Sequence, residues 1–339
     1  MKAKARKTAA LLLAAAFLIA AVSGCAGKEK AESAASKSEG SVVTVKNANG
    51  EDVKINGSPR RIVVLPIWGA EIIIDLIGTE RVAAVSPWID NPVTSACAEE
   101  AAKIEGRVTS SEAEKIVALQ PDLVVLDTFN DFDGSLTATL KEAGITVLTL
   151  ASPTSFEQIG DRIDTIGKAL FVPEKGQQLI EEMNQRLSEV KQKVSGVSKK
   201  VKVMFYEDYY GTDGKSTGML SAYGKGSPFD AIAEAAGAVN VCTAENYSPV
   251  SKETVINDWK PELLVVPGIR YDENFNPVDD GGESIIAAIK KDNLLKTLPA
   301  VKDGRIVALT EKYRGSTSHY MSYAVEELAK ACYPDLFGE

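Results

Sequence analysis

The chain has 339 residues, with 38 lysines and arginines against 47 aspartates and glutamates and a formal net charge of −9 at pH 7. A nucleic-acid-binding surface needs clustered positive charge, so this acidic composition argues against DNA or RNA as a partner. The single histidine excludes a metal site built from several imidazoles.

The first 24 residues have the pattern of a secretory signal. Four basic residues precede an apolar stretch from Ala9 to Val22, which falls short of the about 20 apolar residues that span a bilayer. The next residues, Val22-Ser23-Gly24-Cys25, resemble the lipobox of bacterial lipoproteins, in which the cysteine becomes the acylated N-terminus. We therefore predict a signal peptide over 1–24, a lipid anchor on Cys25 and an extracytoplasmic location. The alternative is an ordinary signal peptide that ends near a cysteine.

The residues after the signal have no large apolar side chain until about residue 40. They bury too little surface to offset the entropy cost of ordering them, so we predict a flexible tether over 25–40. The roughly 300 residues that follow exceed one typical core and indicate two domains. They contain Cys97, Cys242 and Cys332, which we expect to be small buried residues; a Cys242–Cys332 disulfide is the alternative.

Short apolar runs alternate with segments of helical spacing along this part of the chain. The runs predict buried strands at Arg61–Leu65, Arg81–Val85, Leu123–Leu126, Ile145–Leu150, Val201–Tyr206, Leu263–Pro267 and Arg305–Leu309. The spacing predicts helices at Glu71–Ile77, Glu112–Leu119, Leu136–Ala143, Pro228–Ala236, Glu283–Lys290 and residues 318–332. This alternation predicts an α/β fold with mainly parallel central sheets.

One segment is much longer than the other predicted helices. Apolar residues recur with helical spacing from Leu179 to Val194, and Pro173 fits the first turn of such a helix. We predict a single long helix over 172–197, which joins an N-terminal lobe at 41–171 to a C-terminal lobe at 198–339.

The two predicted lobes contain a similar segment. Glu114–Val125 reads as a helix, a Pro-acidic pair and an apolar strand, and Glu253–Val266 has the same order with one extra residue before Pro261. Two similar lobes joined by one helix leave a cleft, and open α/β sheets bind ligands beyond the carboxyl ends of their strands. The loops that follow the strands are therefore expected to line a cleft between the lobes.

The chain resembles the binding proteins that serve ABC importers of ferric siderophores, haem and cobalamin. The resemblance covers residues 41–336 and rests on the order and spacing of Pro59–Val63, Gly106-Arg107, Glu114–Val125, Leu298–Ile306 and Ala324–Ala329. It implies two lobes bridged by one rigid helix, a permease and an ATPase as partners, and a monomer.

The same resemblance implies where the permease binds. In this family one glutamate near the tip of each lobe contacts basic residues of the permease, and charge-assisted bonds of this kind set the register of docking. Glu114 falls on the first position. Glu253 falls near the second, with Glu262 as the alternative because of the extra residue before Pro261.

Aromatic residues and two arginines follow the predicted strands. They are Trp68, Trp88 and Phe129 in the first lobe, and Tyr206, Tyr209, Tyr210, Tyr223, Arg270, Tyr271, Tyr313 and Arg314 in the second. Aromatic rings suit a partly aromatic ligand, and arginines pair with carboxylate or catecholate oxygens. We predict that the cleft captures an Fe(III)-siderophore and that the protein needs no cofactor. Haem or a corrinoid is the alternative ligand, and a protein partner of a surface lipoprotein is the alternative from another class.

Catalytic motifs are missing from the sequence. It contains no P-loop, no dinucleotide-binding glycine pattern and no G-x-S-x-G elbow, so we predict a protein that is not an enzyme. The single histidine, His319, is interpreted as a residue near the start of the last helix, and an axial haem ligand is the less favoured alternative.

Overall fold

The N-terminal lobe is built on a parallel five-stranded sheet. The computed structural model describes residues 40–208, 220–272, 274 and 276–338. An antiparallel hairpin of β1 (Val42–Lys46) and β2 (Asp52–Asn56) comes first. The sheet contains β3 (Ile62–Val64), β4 (Val82–Val85), β5 (Gly106–Arg107), β6 (Leu123–Asp127) and β7 (Val147–Leu150), in the spatial order β5-β4-β3-β6-β7. All neighbouring strands of this sheet are parallel, as the alternating pattern predicts.

Helices connect these strands and cover both faces of the sheet. They are α1 (Ile67–Ile77), α2 (Ala98–Ala101), α3 (Ala113–Ala118), α4 (Ser135–Glu142) and α5 (Phe156–Ala169), with a 3-10 turn at Pro87–Asp90. The three residues of β3 are fully buried, which explains why this strand is a continuous apolar run rather than an alternating one.

A single helix of 22 residues, α6 (Pro173–Val194), links the two lobes. Its apolar stripe buries Met183, Val190 and Val194, and it packs against α5 as well as against helices of the second lobe. The approach to α5 is close, because a Cβ atom on Gly176 would lie 3.3 Å from the carbonyl oxygen of Ile163. Neither α6 nor any other helix in the described part of the chain is long and apolar enough to cross a membrane.

The sheet of the C-terminal lobe has a parallel centre and an antiparallel edge. Its strands are β8 (Lys202–Glu207), β9 (Ser221–Tyr223), β10 (Val239–Asn240), β11 (Tyr247–Pro249), β12 (Leu263–Val266) and, after a separate hairpin, β15 (Ile306–Ala308). The spatial order is β11-β9-β8-β12-β15, and β10 also pairs with β8. Strands β8, β10, β12 and β15 run parallel, whereas β9 and β11 add antiparallel pairs. The hairpin consists of β13 (Ile269–Tyr271) and β14 (Pro277–Asp279).

The helices of this lobe are mostly short. They are α7 (Pro228–Ala235), α8 (Lys252–Thr254), α9 (Glu283–Lys291), α10 (Pro299–Lys302), α11 (Glu311–Arg314) and α12 (Met321–Cys332), with 3-10 turns at Leu295–Thr297 and Pro334–Leu336. Helix α12 packs on both α6 and α7. The linking helix α6 is therefore fixed to α5 on one side and to α12 on the other.

The repeated segments adopt the same local structure. Gln120 and Lys260 immediately precede the prolines and have φ angles of 47° and 48°, in the left-handed region that few non-glycine residues adopt. The acidic residue after each proline accepts backbone N–H bonds at the start of the neighbouring strand: Asp122 from Arg60 and Arg61, just before β3, and Glu262 from Lys202, the first residue of β8. Each segment thus attaches its own strand, β6 or β12, to the centre of the sheet.

The extra residue of the second repeat is accommodated in a π-helical turn at Val255–Trp259. The backbone N–H of Lys260 bonds to the carbonyl oxygen of Val255, five residues earlier, at 2.9 Å. A π turn contains one more residue than an α turn, so the helix absorbs the insertion and restores the Lys260-Pro261 geometry.

All three cysteines in the described part of the chain are buried thiols without disulfide bonds. The expectation of small buried residues is confirmed, and the alternative Cys242–Cys332 disulfide is not formed. Burial raises the pKa of Cys97 and of Cys332 to about 12.

Candidate ligand-binding cleft

Two adjoining cavities lie at the carboxyl ends of the central sheets. Each has a volume of about 300 Å³, and Gly315 and Thr317 line both. The N cavity is lined by Leu65, Pro66, Ile67, Trp68, Ser86, Trp88, Thr94, Asp127, Asn130 and Ser316. The C cavity is lined by Glu207, Asp208, Tyr223, Pro228, Phe229, Pro267, Ile269, Arg270, Tyr271, Ser284, Ile285, Glu311 and Arg314. The cleft therefore lies where open α/β sheets bind ligands.

The two tryptophans of the N cavity differ in exposure. Trp68 is only 5% exposed, and its indole N–H donates to Asp127 Oδ2 at 3.3 Å. Trp88 is 70% exposed, in the 3-10 turn that follows β4. Trp88 thus offers a free ring face to a solute, whereas Trp68 fixes the wall behind it.

Phe129 and Phe132 are exposed in the loop between β6 and α4. Phe129 is 82% exposed and its backbone N–H bonds to Asp127 Oδ1 at 2.9 Å, but its side chain does not line either cavity. Phe132, which our sequence analysis did not select, is 96% exposed. Of these three exposed rings, Trp88 is the one that lines the N cavity.

Four of the predicted contacts lie together in the C cavity. Tyr223, Arg270, Tyr271 and Arg314 all line it. The ring of Tyr223 packs against Phe229 at 4.2 Å and against Tyr247 at 4.9 Å between centroids. Arg270 is exposed on strand β13, so its guanidinium is accessible to a solute.

Other predicted contacts do not line the cavities. Tyr206 is fully buried in the core, because β8 is covered on both faces, and its hydroxyl donates to Asp208 Oδ2 at 3.4 Å. Tyr313 stacks on Tyr323 at 4.9 Å, since α11 turns its ring towards α12. The structure thus places both outside the cleft surface. Tyr209 and Tyr210 lie outside the described residues.

Arg314 is engaged by the protein itself. It is 4% exposed, forms an ion pair with Glu207, and donates to Glu311 Oε1 at 2.9 Å. Its guanidinium also lies 4.8 Å from the ring centroid of Phe229. Arg314 therefore lines the C cavity, as the sequence predicts, while two carboxylates of the protein already balance its charge.

Burial changes the acid–base properties of this cluster. It raises the pKa of Glu311 to about 7, although the backbone N–H of Gly268 bonds to the same carboxylate and favours its charged form. Burial lowers the pKa of Arg314 to about 9, which leaves the guanidinium charged at neutral pH. The floor of the C cavity is therefore a buried cluster of one cation and two carboxylates.

A second polar cluster connects the lobes below the cleft. Glu71, on α1 of the first lobe, is fully buried, and its Oε2 accepts bonds from the hydroxyls of Ser316 and Ser318 at 2.8 and 2.7 Å. Its other oxygen accepts the backbone N–H of Ala96 at 3.1 Å. Desolvation raises the pKa of Glu71, and these hydrogen bonds oppose the shift. We call this group, with Asp75 and His319, the lobe junction.

His319 belongs to the lobe junction and not to the cleft. Its Nε2 lies 2.8 Å from Asp75 Oδ2, and its ring packs on Tyr320 at 4.3 Å between centroids. The imidazole is 7% exposed and does not line either cavity. The structure therefore favours the helix-start interpretation of His319 over that of an axial haem ligand.

The two glutamates predicted at the lobe tips occupy equivalent positions. Glu114 is the second residue of α3 and Glu253 the second residue of α8, and both are exposed. Two residues later, Ile116 and Val255 are both fully buried. Glu262, the alternative, instead bonds to Lys199 and to the backbone of Lys202. Glu253 therefore matches Glu114 better than Glu262 does.

Several residues of the cleft and of the lobe junction were not predicted from the sequence as site residues. Glu71, Glu207, Asp208, Glu311, Ser316 and Ser318 are among them. One signal was present for Glu71, which directly precedes the apolar run Ile72-Ile73-Ile74 of α1. For Glu311 and Glu207 there was none, because their burial depends on partners distant in the sequence.

Comparisons with known proteins agree with this architecture. Over the full length of both chains the protein is 28% identical to an uncharacterized ABC transporter substrate-binding lipoprotein, YvrC, of Bacillus subtilis. It is 23% identical to a cobalamin-binding protein of Halobacterium salinarum, over 80% of this chain and 69% of that one. The apo structure of the periplasmic heme-binding protein RhuT from Roseiflexus sp. RS-1 has a TM-score of 0.65 and 25% identity, and the match covers 83% of this chain and 100% of that chain.

A family model points the same way. The model described as periplasmic binding protein matches residues 62–313, which include both central sheets, the linking helix and most of the residues that line the cleft. With its two α/β lobes and single linking helix, the chain belongs to the periplasmic binding protein family.

Proposed function

We propose that this solute-binding protein of an ABC importer captures a ferric siderophore in the cleft between its lobes. The observation that carries the proposal is the pair of adjoining cavities, each of about 300 Å³, with aromatic side chains on both sides. Ligand sites for small organic molecules occupy roughly 300–1,000 Å³, so the combined space suits a metal complex with an organic shell.

The aromatic lining supports the same class of solute. Trp88 on the N side and Tyr223 and Tyr271 on the C side expose flat apolar area with a polar tip. Arg270 is placed to bond an oxygen of the complex. The aromatic groups and metal-bound oxygens of a siderophore would match both kinds of contact.

A corrinoid or haem remains the second candidate, because one relative is named a cobalamin-binding protein and one similar structure a heme-binding protein. His319 lies in the lobe junction, so a haem axial ligand would have to come from another side chain, such as Tyr223 or Tyr271. Both candidates use the same cleft, and a direct titration separates them.

Titration of the purified domain 41–339 with ferric siderophores, haem and cobalamin tests the proposal, with tryptophan fluorescence as the signal. Trp88 is exposed at the N cavity, so a bound chromophore should quench it. Trp88→Phe should remove most of the quenching, whereas the matched control Trp259→Phe, in the π turn, should retain it. Saturable quenching by siderophores supports the proposal. Quenching by haem or cobalamin alone would show that one of these, and not a siderophore, is the ligand. No quenching by any of the three classes would contradict the proposal.

We also propose that Glu114 and Glu253 dock the protein on the permease. Both are exposed at equivalent positions of the repeated segments, so one carboxylate is presented by each lobe. Two such contacts would fix the orientation of the protein on the permease through bonds to basic side chains.

An uptake assay in cells tests the docking proposal. The double variant Glu114→Ala with Glu253→Ala should bind solute normally in solution and lose most of its uptake. The matched control is Glu181→Ala with Glu189→Ala, which removes two exposed glutamates from α6. Normal uptake by the docking variant, or an equal loss in the control, would show that the assignment is wrong.

We propose in addition that Cys25 carries the lipid anchor and that the segment up to residue 40 tethers the folded domain. The lipobox-like sequence before Cys25 and the lipoprotein name of the Bacillus subtilis relative support this. The variant Cys25→Ser should fail to incorporate labelled fatty acid. Unchanged labelling would refute the anchor.

A further inference from the structure

The charged side chains that line the cleft carry more negative than positive charge. Among the described lining residues, the carboxylates Asp127, Glu207 and Glu311 outnumber the guanidiniums Arg270 and Arg314.

Internal pairing reduces the positive charge that a solute meets. Arg314 is buried between Glu207 and Glu311, so its charge is already balanced within the protein. This leaves Arg270 as the exposed cation of the described cleft lining. The buried cluster therefore does not attract an anion, although it contains an arginine.

The N cavity contributes a further fixed negative charge. Asp127 accepts hydrogen bonds from the indole of Trp68 and the hydroxyl of Ser152 on one oxygen. Its other oxygen accepts the backbone N–H groups of Phe129 and Asn130. These four hydrogen bonds hold the Asp127 carboxyl group in a fixed position at the wall of the N cavity.

We propose that the Glu207–Arg314–Glu311 cluster selects solutes by charge, so that the cleft takes metal complexes without net negative charge and rejects polyanionic ones. Fe(III) held by three hydroxamate groups is neutral, whereas Fe(III) held by three catecholate groups carries three negative charges. A trianion in this cleft would meet the surplus carboxylates, with Arg270 as the exposed cation among the described lining residues, and burial would strengthen the repulsion. The assignment deepens the proposed function and rests on it.

The test compares two hexadentate ferric complexes that differ in net charge. The domain 41–339 is titrated at pH 8, above the Glu311 pKa of about 7, with a ferric trihydroxamate and a ferric tricatecholate. We expect the neutral complex to bind about a hundredfold more tightly than the trianion, or more. Equal or tighter binding of the trianion overturns the charge selection while the proposed function stands. If neither ferric complex binds, and haem and cobalamin do not bind either, the proposed function itself is wrong.

Variants assign the selection to the cluster. Glu207→Gln and Glu311→Gln keep the side-chain shape and remove one negative charge each, so each should narrow the preference for the neutral complex by about tenfold. The matched control Glu181→Gln, on the exposed face of α6, should leave the preference unchanged. Unchanged preference in folded cluster variants would show that these carboxylates do not select the solute.

A measurement on the wild-type protein covers the case in which the variants do not fold. Raising the salt concentration from about 20 mM to about 500 mM screens charge repulsion. The preference for the neutral complex should then shrink, because the trianion gains affinity and the neutral complex does not. A preference that does not depend on salt would overturn the charge argument.

Discussion

Glu311 lies at the floor of the C cavity with its carboxyl group almost fully enclosed. It bonds to Arg314 and to the backbone of Gly268, and the nearby Asp279 adds like charge. A glutamate in water has a pKa near 4.5, whereas this one has a pKa of about 7. The raised pKa links the stability of the C-terminal lobe to pH.

The sign of this link is fixed by the direction of the shift. A folded-state pKa above the unfolded one means that the contribution of Glu311 is fully present below pH 4.5 and is lost as pH rises through about 7. We expect the wild-type protein to lose about 3 kcal/mol of unfolding free energy over this range relative to Glu311→Gln, which does not titrate. Urea unfolding of both proteins at pH 5, 6, 7 and 8 measures the difference. Parallel pH profiles would contradict the expectation.

Position in the chain predicts some cleft residues and cannot predict others. Trp88, Arg270 and Tyr271 were selected because they follow strands, and they line the cavities. The same rule selected Tyr206 and Tyr313, whose rings turn into the core and towards α12. Which way a ring points at a strand end depends on the helices packed around it, and those contacts are not encoded locally.

At the scale of the elements, strong periodicity located most of the fold. The predicted long helix over 172–197 corresponds to α6 at Pro173–Val194, and the predicted strand Leu123–Leu126 corresponds to β6 at Leu123–Asp127. The prediction omitted helix α5 and the β13–β14 hairpin. Strand β13 carries exposed polar residues, so its pairing leaves no apolar run in the sequence.

The π turn at Val255–Trp259 leads to a prediction about a single residue. Asn257 is exposed, and without it the second repeat would have the same length as the first. We expect its deletion to convert the π turn into an α turn that still ends at Lys260-Pro261, at a cost below about 1 kcal/mol. Urea unfolding measures the cost. The matched control deletes Val117 from the first repeat, where no extra residue exists, and should be much more destabilising. Similar losses in both would refute this account.

At the scale of the whole molecule, two connections limit the relative motion of the lobes. Helix α6 packs against α5 in one lobe and α12 in the other. The lobe junction adds the buried hydrogen bonds that Glu71 accepts from Ser316 and Ser318. The side-chain amide of Asn91 in the first lobe also donates to the carbonyl oxygen of Pro277 in the second, at 3.4 Å. Such a frame favours small shear movements over wide hinge closure.

Solution scattering tests this restriction. We expect the radius of gyration of the domain 41–339 to change by less than about 1 Å when a solute binds. Glu71→Ala removes the acceptor of two hydroxyls and one backbone N–H, so it should loosen the junction and enlarge the change. Glu71→Gln keeps the shape of the side chain and should resemble the wild type. A large compaction of the wild-type protein would show that the frame is not rigid.

The three buried thiols can report local opening of the native protein. Cys97 lies beside the lobe junction, Cys242 in the core of the C-terminal lobe and Cys332 at the end of α12. Because burial raises the pKa of each thiol, a thiol-trapping reagent reacts only after local opening exposes it. The trapping rates at the three sites therefore measure three separate opening motions of one unlabelled protein. A solute held between the lobes should slow the trapping of Cys97 more than that of Cys332.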